Sequence, residues 1–388
     1  NPDTSLNANY GIIMQRATVG GWAQTLSRPV QRGAESLGYS THFMRILDSG
    51  GTIFTDMLLG VNQILTVLSY EDEYTLYDKV QSVNGYNLYN MKYPFSYINL
   101  VSGSDVREDM SDMDIVELHN KLYSLLMPDV SGADDSSFTQ WLYRSGDTEE
   151  KKELNESITG HKLLYLRKGE ADKITVNGKA VLIPSISEPN NTGYPAWFNS
   201  NLICLGEFKD EDITVNAPAG SEIFSLDVDM LDILSQKLSE KAERTEADEL
   251  LAAGSDSMSF YANADEAGMA AILPVNPDEY TKIKVNGKRV EGITVAGMLT
   301  GVELEEGRNF VEISFFPKGL FCGFLISLIA VIIMAIVYVK EETLRHEFKP
   351  LRSLSLKLVE VLWILAVLSI YVIPVAAFAV HQIIKRIF

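Results

Sequence analysis

Two uninterrupted apolar runs near the end of the chain limit what the rest of it can be. Gly319–Val339 contains no charged residue, and after a polar loop Val361–Val380 is equally uncharged. An α-helix rises about 1.5 Å per residue, so roughly 20 apolar residues cross the hydrocarbon core of a bilayer. Both runs reach that length, which a buried helix of a soluble protein seldom does. The sequence therefore predicts two transmembrane helices, over 319–339 and 359–384, behind a large polar domain.

The loop between them, residues 340–358, carries Lys340, Arg345, Lys349, Arg352 and Lys357 against Glu341, Glu342 and Glu347. Short loops rich in Lys and Arg stay in the cytoplasm. That places residues 1–318 on the extracytoplasmic side of a multi-pass membrane protein. Lys385 and Arg386 at the C-terminus pull the other way, two cations against five. The chain holds 33 Lys and Arg against 52 Asp and Glu, net −19. Residues 319–388 account for 7 cations and 4 anions, which leaves 26 against 48, net −22, for residues 1–318. So acidic a domain is not expected to bind nucleic acid or anionic lipid headgroups.

The chain opens Asn1-Pro2-Asp3-Thr4, with no basic or apolar leader. The expectation is a removed signal or, preferred, upstream transmembrane helices missing from this chain, which then reads as the C-terminal part of a longer polytopic protein. Cys204 falls in an expected strand and Cys322 in the first span, so they are not expected to pair. The five His are scattered, without zinc spacing, and no metal site is expected.

The polar part repeats itself. Lys173-Ile-Thr-Val-Asn-Gly-Lys-Ala-Val181 and Lys282-Ile-Lys-Val-Asn-Gly-Lys-Arg-Val290 agree at seven of nine positions. In each, β-branched residues run into Asn-Gly, a pair that tolerates positive φ and suits a tight hairpin turn. Asn201–Glu207 with Asp212–Ala217, and Gly301–Leu304 with Phe310–Phe316, read as two further strand pairs. Val311, Ile313 and Phe315 alternate with Glu312 and Ser314, as in a sheet with one wet face.

The expected fold is α+β. Residues 156–318 read as one or two antiparallel β-sandwich regions with an inserted helix near 229–252, capped by Asp227 or Asp229. Residues 1–155 read as a mixed α/β region. There, Ile53–Ser69 reads as a helix running into a core strand, Val116–Met127 as a helix, and Ser131–Ser157 as a polar loop containing the boundary.

No catalytic constellation stands out. Gly-x-Ser-x-Gly, a phosphate-binding Gly-Lys-Ser/Thr loop and a dinucleotide fingerprint are all missing. Carboxylates at Asp105, Glu108, Asp109, Asp112 and Asp114, and at Asp210, Glu211 and Asp212, could take Ca²⁺, but solvated acidic loops are the stronger reading. Aromatic residues raise a sugar-stacking hypothesis. Trp22, Tyr89 and Tyr93 are its candidate contacts, with Trp141, Trp197 and the other tyrosines of 86–97 behind them. Glu360 and His381, at the ends of the second span, fit interfacial snorkelling.

One resemblance runs along most of this length. Asn9-Tyr-Gly-Ile12 through Gly38-Tyr-Ser40, then Phe54-Thr-Asp-Met-Leu-Leu-Gly-Val-Asn-Gln-Ile-Leu-Thr66, is similar to the YfhO-like bacterial membrane proteins, whose "YGY…GYSS" precedes "DLLGVKYVL". Asn62-Gln63 stands where that family has Lys-Tyr. Leu88-Tyr-Asn90 with Tyr93-Pro-Phe-Ser-Tyr97, Leu205-Gly-Glu-Phe208, and Asn286-Gly-Lys288 followed by Glu305-Glu-Gly307 continue the pattern. The resemblance implies the C-terminal portion of a GT-C type glycosyltransferase. Such a protein moves a sugar from a polyprenyl-phosphate carrier onto an envelope glycopolymer such as teichoic acid. Its expected catalytic carboxylate lies in an early outer loop, so no catalytic residue carries over to these positions, and this chain alone is expected to be inactive. A membrane-anchored carbohydrate-binding or adhesion module, without a reaction of its own, is the competing expectation.

Overall fold

The computed structural model describes residues 21–22, 28–42, 45–66, 77–92, 96, 98–103, 105–128, 138–144, 153–167, 174–181, 202–217, 220–242, 257–276, 280–316, 318–339 and isolated positions between 357 and 364. The chain divides into two units, Asn1–Phe316 and Pro317–Phe388.

The first unit is α+β. It opens with β1 (Gly21–Trp22), α1 (Arg28–Ser36), β2 (Tyr39–His42), β3 (Arg45–Gly50), α2 (Ile53–Leu58), β4 (Gln63–Thr66), β5 (Tyr77–Val83) and β6 (Tyr86–Met91). Then come β7 (Asn99–Ser102), α3 (Ile115–Leu126), β8 (Thr139–Tyr143), β9 (Glu153–Ser157), β10 (His161–Arg167), β11 (Thr175–Val176) and β12 (Lys179–Ala180). Next are β13 (Leu202–Lys209), β14 (Asp212–Asn216), β15 (Glu222–Asp227) and α4 (Val228–Ala242). The unit closes with β16 (Ser257–Ala264), β17 (Met269–Leu273), β18 (Thr281–Val285), β19 (Lys288–Val290), β20 (Ile293–Val295), β21 (Leu299–Glu303) and β22 (Gly307–Phe315).

Four four-stranded antiparallel sheets form its bulk, in the orders β13-β10-β15-β8, β12-β11-β14-β9, β16-β22-β18-β19 and β20-β21-β17-β7. Each repeat copy makes its Asn-Gly turn as expected, with positive φ at Asn177 and Gly178 and at Asn286 and Gly287. The repeated Asn also ties the hairpin to the next strand. Asn177 brackets Thr214, its N–H donating to the Thr214 carbonyl and its Oδ1 accepting from the Thr214 N–H, both at 2.8 Å. Asn286 brackets Phe310 identically, at 2.8 and 2.9 Å. The two copies therefore occupy equivalent places, β12-β11-β14-β9 and β19-β18-β22-β16.

Three apolar clusters fill the unit. One joins inward residues of β16, β18 and β22 (Phe260, Ile283, Val311) to those of β7, β17 and β21 (Leu100, Leu273, Val302). Another joins β10, β13 and β15 (Leu164, Ile203, Ile223) to β11 and β14 (Val176, Val215). The largest gathers α2, α3 and α4 with the remaining strand faces. Asp227 caps α4, its Oδ1 accepting from Met230 N–H at 2.8 Å, and Leu231, Leu234 and Leu238 of that helix are buried.

Several expectations change. The strands read as pairs, 201–207 with 212–217 and 301–304 with 310–316, are not hairpins. β13 and β14 enter different sheets, as do β21 and β22, so each connecting turn crosses between sheets. Short strands flanking a turn look alike in sequence whether they pair or cross. The loop expected over 131–157 contains β8 and β9. A boundary near residue 155 does not separate the sheets, because β8 pairs with β15 and β7 with β17 across it. Ile53–Ser69 does form a helix followed by a strand, but β4 is not a core strand, since Gln63 and Leu65 are exposed. The inserted helix is described to Ala242, and its expected continuation to 252 lies outside the described residues.

Among the described residues of the second unit one helix, α5 (Lys318–Val339), is long and apolar enough to cross a membrane. Every residue of Gly319–Ile336 within it is exposed. A helix that is apolar all round and covered by nothing is unstable in water and suited to lipid. The second expected span lies outside the described residues apart from Glu360, Val361, Trp363 and Ile364, which are helical.

Candidate functional site

The chemistry that the fold gathers sits at the first turn of α2. Gly51 adopts φ +74° and leads into Thr52, which caps the helix through a reciprocal pair with Thr55. The Thr55 hydroxyl accepts from the Thr52 N–H at 2.8 Å, and the Thr52 hydroxyl accepts from the Thr55 N–H at 3.2 Å. Such a cap satisfies N–H groups that open every helix. A further one, Ile53 N–H, donates to the Tyr165 hydroxyl of β10 at 3.1 Å. Thr52 Oγ1 also lies 2.9 Å from His119 Nε2 of α3.

One turn on, Asp56 accepts a 2.6 Å hydrogen bond from the Tyr39 hydroxyl of β2. Burial pushes the Asp56 carboxyl up from 3.8 to about 7, and the Tyr39 bond pulls it part of the way back. Protein surrounds the carboxyl, yet the residue keeps some exposed surface. The desolvation still dominates, because the neighbours Phe54, Met57 and Leu58 are fully buried. His119 shows the reverse effect: burial lowers it from 6.5 to about 4, against the pull of the Ile115 carbonyl one turn back. Its Nδ1 makes no well-formed hydrogen bond. The phenols of Tyr39 and Tyr165 are raised well above 10 by burial and stay protonated.

Rings close the site. Phe54 meets His119 at 5.4 Å and Phe138 at 4.9 Å between centroids, and Phe224 stacks on Tyr165 at 5.5 Å. The result is a neutral His and a carboxyl that exchanges its proton near neutrality, held by phenols and threonines. It can store or release one proton. The two groups bond to different partners, the carboxyl to Tyr39 and the imidazole to Thr52, so they do not form a nucleophile–base pair.

Of the expected sugar contacts, Tyr89 is fully buried at 0 % exposure, and its ring offers no face to a sugar. Alternation explains this: Tyr89 and Met91 lie on the inner side of β6, while Tyr86 stands outward. Trp22 lies on β1 but its side chain is outside the described residues, as are Tyr93 and Trp197. Trp141 is engaged already, with Arg144 5.1 Å over its ring and Phe224 edge-on at 5.6 Å.

The acidic clusters serve local structure. Asp114 caps α3, Glu108 pairs with Lys121 at 2.5 Å, Asp109 accepts from Ser111 N–H, and Asp210 accepts from Gly160 N–H at 2.7 Å. Among the described residues no three His, Cys, Asp or Glu side chains are placed to hold a metal ion. Neither Cys204 nor Cys322 is in a disulfide.

Sequence reasoning passed over Asp56 and His119. The signal was present: Asp56 is the one charge in Ile53–Ser69, and His119 sits among the apolar positions of a helix. Gly38-Tyr39-Ser40 also meets α2 here, through the Tyr39–Asp56 bond. No family model, curated protein or solved structure matches the chain.

Proposed function

We propose that this chain is the extracytoplasmic, membrane-anchored C-terminal part of a polytopic bacterial protein. The observation that carries the reading is α5, apolar and exposed over Gly319–Ile336 and starting within three residues of the end of β22. In this reading the sheet pairs that share apolar clusters are two β-sandwiches, and 359–384 is a second span returning from a cytoplasmic loop at 340–358.

The activity proposed for the whole protein is transfer of a sugar from a polyprenyl-phosphate carrier to an envelope glycopolymer. It rests on the YfhO-like resemblance. The catalytic groups would then lie upstream, and this unit would shape the acceptor side. Asp56 and Tyr39 would hold the unit's interior together instead of touching substrate.

Two measurements test the reading. In a Cys204→Ala background, Gln81→Cys on the exposed β5 strand should react with a membrane-impermeant maleimide in intact cells. Protection until lysis would place the unit inside and end the proposal. In a transfer assay with a polyprenyl-phosphate sugar donor, the full-length protein should label acceptor while the purified 388-residue chain should not. Transfer by the chain alone would relocate the catalytic groups into it. No transfer by either would leave the anchored binding or adhesion module as the surviving alternative.

A further inference from the structure

One sheet of the first unit carries exposed aromatic side chains and a lysine together at one end. In β16-β22-β18-β19, Ile283, Val285, Val311 and Ile313 fill the inner face. Lys282 and Lys284 of β18 point outward, with Arg289 of β19 opposite Lys284. Glu312 of β22 stands opposite Lys284 from the other side. At the end of the sheet where β22 finishes, Thr281 pairs with Phe315 and Lys282 with Ser314. Phe315 is 45 % exposed and Phe316 40 % exposed. The Tyr280 ring meets Phe315 edge-on at 6.1 Å, and Lys282 Nζ lies 5.0 Å from the Phe316 ring centroid. At the opposite end, where β22 starts, the exposed carboxylates Asp265, Glu266, Glu303, Glu305 and Glu306 stand among exposed cations, with Lys288 paired to Glu305, Arg107 to Glu303, and Arg308 over the Tyr261 ring. Asp278 and Glu279, just before Tyr280 in the sequence, lie outside the described residues.

Exposed phenylalanines beside a lysine are costly in water and ordinary at a membrane interface. Aromatic rings settle at headgroup depth, and lysine stems lie along apolar surface while their ammonium groups reach phosphate. Chain connectivity supplies the second argument. Phe316 is two residues from Lys318, the first residue of α5, a covalent reach of about 7 Å.

We infer that the Phe315–Phe316 end of this sheet, with Tyr280 and Lys282, is a collar seated in the headgroup layer of a phospholipid bilayer. Lys284 and Arg289 extend the contact to headgroup phosphates. The inference rests on the anchored reading above and adds to it a lipid-binding surface on the sheet itself. It also qualifies the expectation drawn from net charge. The unit is acidic as a whole, yet this aromatic and cationic edge lies where the chain continues into α5.

The test uses the full 388-residue chain in proteoliposomes doped with a phospholipid bearing a photoactivatable diazirine near its headgroup. Cross-linked peptides are mapped by mass spectrometry. Labelling is expected on peptides covering 280–284 and 314–316 and on the first turn of α5, with at least threefold less on 303–308. Equal labelling of the two ends, or labelling confined to α5, overturns the collar and leaves the anchor standing. No labelling of α5 overturns both. Phe316→Ser with Lys282→Glu should lower labelling of the collar peptides about threefold without changing that of α5. Circular dichroism of the variant confirms that it is folded, and the labelling of the unsubstituted chain is decisive without it.

Discussion

Asp56→Asn is expected to stabilise the protein at pH 7.5 and to change it little at pH 4. Each tenfold change in proton affinity is worth about 1.4 kcal/mol, so the rise of the Asp56 carboxyl from 3.8 to about 7 corresponds to up to about 4 kcal/mol. The sign follows from which state binds the proton. Between pH 3.8 and 7 the folded protein keeps a proton that the unfolded chain has released. The stability this proton confers is complete below 3.8 and lost as pH rises through 7. Asn cannot ionise, and its side-chain oxygen still accepts from Tyr39, so the loss disappears.

His119 masks the effect in the unsubstituted protein. Its imidazole is lowered from 6.5 to about 4, so in that window the unfolded chain binds the extra proton. This stability is present above 6.5 and lost as pH falls through 4, by about 3 kcal/mol. Across pH 4–6.5 the two slopes oppose and nearly cancel. Asp56→Asn should therefore expose a rise in stability of about 3 kcal/mol from pH 4 to 6.5, and His119→Gln a fall of about 4 kcal/mol from pH 4 to 7. Urea unfolding in detergent, followed by circular dichroism at several pH values, reads both. If Asp56→Asn lost stability equally at pH 4 and 7.5, Asp56 would be an ionised structural acceptor, and the account of this site would fail.

Much of the framework was legible because local chemistry decided it. Asn177-Gly178 and Asn286-Gly287 form the turns expected of them since few other dipeptides accept two successive positive φ angles. Asp227 at the head of α4 and the burial of Leu231, Leu234 and Leu238 follow from capping and a 3.6-residue period. Partner choice was not legible. β13 and β14 both look like half-buried strands, and nothing within either says that the turn at Asp210 crosses between sheets instead of closing a hairpin. The burial of Tyr89 was hidden for a related reason. A tyrosine-rich strand alternates between faces, and only the register of β4, β5 and β6 shows that Tyr89 faces in and Tyr86 out. The site at α2 joins residues 39, 52, 56, 119 and 165, which no short window of sequence contains.

Gly103→Ala should be among the most damaging single-methyl additions to this chain. Ser102 at the end of β7 pairs with Met269 of β17, and the backbones at Gly103 and Gly268 come together just beyond. A Cβ on Gly103 would lie 1.7 Å from the Gly268 carbonyl oxygen and 2.8 Å from its carbonyl carbon. Neither atom belongs to a side chain that could swing away, so β7 or β17 must shift. That movement would disturb Leu100, Val101, Ala271 and Leu273, all buried between the sheets. Overpacking that moves backbone costs about 3 kcal/mol, which lowers Tm by roughly 5 °C in a unit of this size. Gly85→Ala supplies the comparison. Gly85 has φ +82° with nothing within 4 Å of an added Cβ, so only left-handed backbone strain is felt, about 1–2 kcal/mol. Thermal unfolding of the two variants separates close approach from strain. Equal losses in Tm would mean that β7 and β17 do not pack this tightly.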